Sequence, residues 1–97
     1  MADLSVIDHA ALAIVARCPD GILPAALGYG LLKSGAVTTE RPRIKPQGAA
    51  LIAARPARRL EQAGLIWFHF AGEYREGFKI TLAGQRYLNS LHPQQAA

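Results

Sequence analysis

Four polar residues stand at a spacing suited to reading a charged partner. Arg55, Arg58, Arg59 and Gln62 fall at i, i+3, i+4 and i+7, which on an α-helix makes one stripe. Guanidinium groups arrayed this way bond bidentately to guanine edges and neutralise phosphates. Ala53, Ala57 and Leu60 form the opposite stripe, which would face a core. A helix divided like this can enter the major groove of duplex DNA. The plainer alternative is a solvated face, with Arg59 paired to Glu61 or to another neighbour. Arg41, Arg43 and Lys45 lie upstream, where they could add backbone contacts. Arg75 and Lys79 lie downstream, where they could touch phosphate or the minor groove.

Other chemistries find little support. His9, His69 and His92 are too scattered for a metal site, and the single cysteine, Cys18, excludes an internal disulfide. Cys18 reads as a small apolar filler; Arg17 beside it leaves a redox role as the alternative. Glu73 and Glu76 flank a turn with no apolar enclosure, so they are not an acid–base pair. No glycine-rich phosphate loop follows a strand. The expectation is a protein without enzymatic activity, catalytic residues, metal or cofactor.

The net charge of +4 is unevenly spread. Residues 33–59 hold seven cations against Glu40 alone, a local excess of +6, whereas the rest of the chain holds four cations against six acids. A local basic excess is the electrostatic footprint of a nucleic-acid binder, although solvated basic faces also produce it. The 97 residues suffice for one domain, and an apolar content of 51% gives it a core. No apolar run reaches the ~20 residues of a membrane helix. The start, Met1-Ala2-Asp3, lacks a signal-peptide layout. These features predict a soluble, cytoplasmic protein with no membrane association.

The elements that must position the stripe follow from periodicity. Ile7, Ala11, Ile14 and Val15 predict a first helix over residues 5–17, capped by Ser5 and ended by Pro19-Asp20-Gly21. Ile22-Leu23 could be a very short strand. Pro24 suits the first turn of a second helix, with Leu27, Leu31 and Tyr29 expected to face inward. Gly28 and Gly30 weaken that helix by roughly 1 kcal/mol each. Residues 34–46 read as a long basic loop, lying along DNA or, the favoured alternative, simply mobile. A third helix runs from Gln47 to Ala63 and stops at Gly64. Leu51 and Ile52 would share a face with Arg55 and Arg59 on a straight helix. With Pro56, this predicts a kink near Arg55 or two short helices. Ile66, Phe68 and Phe70 then alternate with Trp67 and His69, and Phe78-Lys79-Ile80 alternates again, so the two segments form a hairpin. Trp67 is expected in a second core layer, with an exposed anchor as the alternative. Thr81 caps a last helix whose Leu88 and Leu91 pack on the first.

The phrase Arg58-Arg59-Leu60-Glu61-Gln62-Ala63-Gly64-Leu65-Ile66 resembles the run from recognition helix to wing in bacterial winged-helix regulators. Lys79-Ile80-Thr81-Leu82-Ala83-Gly84-Gln85-Arg86-Tyr87-Leu88 resembles their strand-to-helix phrase. In order around a hairpin, the two phrases cover residues 55–88. The resemblance implies an α+β, mostly α fold: a winged helix-turn-helix of three helices, a two-stranded β wing and a C-terminal helix, over residues 1–91, with 92–97 a disordered tail. It further implies that Ala54, Arg55 and Arg58 read bases. Pro56 and the long loop 34–46 depart from the family's pattern.

The expected function is sequence-specific binding of double-stranded DNA by a small transcriptional regulator, a homodimer joined through its terminal helices. The alternative is a protein-interaction module on the same fold, with a protein partner and no DNA. RNA binding ranks lower, because only Trp67, His69 and Tyr74 offer stacking groups.

Overall fold

The computed structural model describes residues 4–39, 43–71 and 74–91, and gives the backbone alone at Ala71 and Tyr74 to Glu76. The elements run α1 (Val6–Ala16), α2 (Pro24–Ser34), α3 (Pro46–Gln62), β1 (Ile66–Ala71), β2 (Tyr74–Ile80) and α4 (Leu82–Leu91). Three helices, an antiparallel hairpin and a closing helix make a small, mostly α domain.

Ser5 caps α1 as its sequence position implies. Its hydroxyl accepts from Asp8 N–H at 3.2 Å, and Asp8 Oδ2 accepts from Ser5 N–H at 3.0 Å. This reciprocal box satisfies two orphan donors of the first turn. It also fixes Asp8 at a fully buried position.

The short strand at Ile22 reduces to one bridge. Ile22 exchanges backbone hydrogen bonds with Phe78 at 3.0 and 2.7 Å. The segment before α2 is thereby fixed to the outer edge of β2. Within the hairpin, Ile66 pairs with Ile80 and Phe68 with Phe78, placing these apolar side chains on one face. Leu12, Val15, Leu27, Leu31, Leu60 and Ile66 fill the core together with Phe78.

The two glycines that weaken α2 acquire a reason, clearest at Gly28. A Cβ at Gly28 would collide with the Ala49 carbonyl, so glycine lets α2 and α3 approach backbone to backbone. Tyr29 departs from its expected inward position. It is exposed, and its hydroxyl donates to the Ile44 carbonyl at 2.7 Å. That bond ties Ile44, near the end of the loop, to α2. Residues 40–42 lie outside the described residues.

Helix α3 is one helix of 17 residues, not two short ones. Pro56 lies inside it with its ring buried on the same side as Ala49, Ala53, Ala57 and Leu60. The ring leaves the Ile52 carbonyl without its helical donor. Its apolar burial offsets part of that loss. The clash of core and charge on one face is resolved because Leu51 is not core: it is 75% exposed.

Gly64 leaves α3 at φ 76, the left-handed conformation expected of a helix stop. Thr81 then joins the two family-like phrases. Its hydroxyl donates to Gly64 O at 2.7 Å and accepts from Gly84 N–H at 2.9 Å, capping α4. Leu88 packs on the core, whereas Leu91 remains exposed. Contact between α1 and α4 is instead polar and aromatic. His9 and Tyr87 stack with ring centroids 5.6 Å apart, and His9 Nε2 lies 2.7 Å from Tyr87 Oη. His9 Nδ1 lies 2.9 Å from the Ser5 carbonyl. A carbonyl can only accept, so Nδ1 carries a proton and donates it to the Ser5 carbonyl.

Among the described residues no helix is long and apolar enough to cross a membrane.

Candidate nucleic-acid interface

The outward face of α3 is the side that the core leaves free. Burial of Ala49, Ala53, Pro56, Ala57 and Leu60 fixes the rotation of the helix. Gln47, Leu51, Ala54, Arg55, Arg58 and Gln62 are consequently all exposed. They run along most of a helix about 25 Å long. Among the described residues, no hydrogen bond or ion pair engages the side chain of Arg55, Arg58 or Gln62.

Arg59 belongs to a different environment. Its Nε lies 3.3 Å from Asp8 Oδ1, while its side chain is 47% exposed. The geometry falls short of a hydrogen bond and constitutes an ion pair. Asp8, sealed at the start of α1, therefore draws one arginine of the sequence stripe sideways. The partner is neither Glu61 nor any residue near in sequence.

Lys45 stands at the N-cap position of α3 without a side-chain capping bond, and Pro46 occupies the first helical turn. Arg43 and Lys45 are both exposed there. The Tyr29–Ile44 bond fixes this segment, so the two cations precede Gln47 and Leu51 at the same end of the helix. Arg41 lies outside the described residues. Arg75 is a β2 residue whose backbone pairs with Phe70; its side chain is not described. Lys79 pairs with Trp67 and is partly buried on the outer face of the hairpin.

Trp67 is 45% exposed, not core. It alternates with Ile66 and Phe68, and those two take the inner face. Trp67 meets His69 edge to face, with centroids 4.8 Å apart. Phe70 is more exposed, at 62%.

A cleft of about 380 Å³ borders the inner flank of α3, lined by Pro24, Ala50, Ala53, Ala54, Ala57 and Phe78, with Arg58, Glu61 and Gln62 at its polar margin. Among the described residues, no histidine, cysteine or serine lines it. Among the described residues no group of three metal-binding side chains converges.

Sequence reasoning found the arginines, because their spacing is helical and local. It placed Leu51 on the face of Arg55 but read it as core, and it passed over Gln47. The available signal was Leu51 itself, an aliphatic residue one turn before Arg55.

No protein-family model, no curated protein and no solved structure matches this chain.

Proposed function

We propose that the chain is a winged helix-turn-helix protein that binds double-stranded DNA sequence-specifically, as a small transcriptional regulator. In this reading α3 is the recognition helix and β1–β2 the wing, with the Ile22 bridge serving as the third strand. The observation that carries it is the contrast on α3. Arg55 and Arg58 face outward with no partner among the described residues, while Arg59 is held by Asp8. Arg55 and Arg58 reach base edges, with Ala54 beside them and Gln62 one turn beyond. Arg43 and Lys45 bind phosphates at the other end of the helix, joined by Arg41. Arg75 and Lys79 contact the backbone from the wing, and the solvated part of Arg59 remains free for a phosphate. Val6, Leu82 and Leu91 are exposed on the terminal helices and supply the surface of a homodimer.

The test is a salt series on random-sequence duplex, run beside a sizing measurement. Affinity should fall linearly with salt on logarithmic axes, because phosphate contacts release counterions. Trp67 and Phe70, both exposed on the hairpin, favour a second reading, a protein-docking module without DNA binding. Absence of duplex binding at moderate salt, with a stable complex to a protein partner, would select that reading.

A further inference from the structure

Among the described residues, Leu51 is the large apolar side chain that α3 exposes, at 75%. It adds almost nothing to the core. Its neighbours on the outward face are Gln47 one turn before it, Ala54 and Arg55 one turn after it, and Arg58 two turns after it. A leucine is thus set among groups able to hydrogen-bond bases, next to a methyl-sized residue that lets a surface approach closely.

The major groove presents one apolar group, the C5-methyl of thymine. We infer that Leu51 reads that methyl, so that the bound sequence contains a thymine at a fixed place; this rests on the DNA-binding reading above. The helix sets the spacing. Leu51 and Arg55 are about 6 Å apart along the axis, and Leu51 and Arg58 about 10.5 Å, at 1.5 Å per residue. Base pairs are stacked about 3.4 Å apart along each strand. The thymine therefore lies within about three base pairs of a guanine read by Arg55 or Arg58. Gln47 offers an amide suited to an adjacent adenine.

The test starts from duplexes selected out of a random pool by the wild-type protein. Each thymine of the selected site is replaced in turn by uracil, which removes the methyl and keeps the base pairing. One replacement, within three base pairs of a guanine, should weaken wild-type binding roughly three- to tenfold. Leu51→Ala should bind the thymine site weaker by a similar factor and no longer distinguish thymine from uracil. Its melting temperature should match the wild type, because the side chain is solvated. If the wild type binds the selected site and no uracil replacement matters, or if Leu51→Ala retains the discrimination, the Leu51 assignment is overturned and groove reading by the arginines stands. If no duplex is bound at all, the DNA-binding reading is overturned and the assignment with it.

Discussion

The inner and outer sides of α3 are both rich in specific residues, yet they treat polarity in opposite ways. On the side toward α1 the polar groups named next have defined partners. Asp8 holds Arg59 and closes a capping box with Ser5, and His9 bridges the Ser5 carbonyl and Tyr87. The backbones of α2 and α3 meet at Gly28 and Ala49. On the outer side Arg55, Arg58 and Gln62 end in solvent with no such engagement among the described residues. Buried polar groups are satisfied because leaving them unpaired is costly. Exposed ones carry no such requirement and remain available to a partner. The difference separates arginines that hold the fold from arginines free to act.

Substitutions on the two sides should accordingly be read by different instruments. The largest effect is expected at Gly28→Ala, where the added methyl meets the Ala49 backbone, which cannot move aside without separating the helices. The expected loss is about 3 kcal/mol of stability or more, visible in thermal denaturation; an unchanged midpoint would break the claim of direct backbone approach. Arg59→Ala should follow, at about 2–3 kcal/mol. It leaves the Asp8 carboxylate buried beside no cation, and partial solvation of Arg59 keeps the loss below that of a fully sealed pair. Arg58→Ala, one residue away, should shift stability by no more than about 0.5 kcal/mol. Equal denaturation curves for the two variants would dissolve the contrast between the sides.

For the outer face the readout is affinity. Arg55→Ala and Arg58→Ala should each weaken specific duplex binding by about 1–3 kcal/mol, measured by titration on a selected site. Among the substitutions that break a contact, Tyr29→Phe should have the smallest effect. Losing the exposed hydrogen bond to Ile44 should cost about 0.5–1 kcal/mol and raise amide exchange in the segment before α3. Unchanged exchange there would show that the loop is held by other means.

Much of the architecture was legible because its signals are local. Ser5 and Asp8 are three residues apart, the hairpin alternates with period two, and Gly64 and Thr81 mark the ends of helices by their own chemistry. The stripe on α3 was legible for the same reason. What escaped depends on contacts between residues far apart in sequence. Arg59 could be assigned to Asp8 only once α1 lay beside α3. Gly28 read as a defect until Ala49 was packed against it. Pro56 predicts a kink or two short helices; its ring is buried and α3 runs on as one helix. Trp67 alternates with Phe68 and is expected in a second core layer; the described elements cover one face of the hairpin, and Trp67 is exposed on the other. Leu51 looked misplaced for as long as every aliphatic residue was assigned to the interior.

Arg58 and Arg59 differ by one position in sequence and by the whole proposed division of labour. The most direct test is a titration of wild type, Arg58→Ala and Arg59→Ala against one selected duplex, with the melting temperature recorded on the same preparations. Arg58→Ala should bind about fivefold weaker or worse at unchanged melting temperature, while Arg59→Ala should melt earlier and lose less affinity. Wild-type affinity in Arg58→Ala would contradict the assignment of the outer face to DNA.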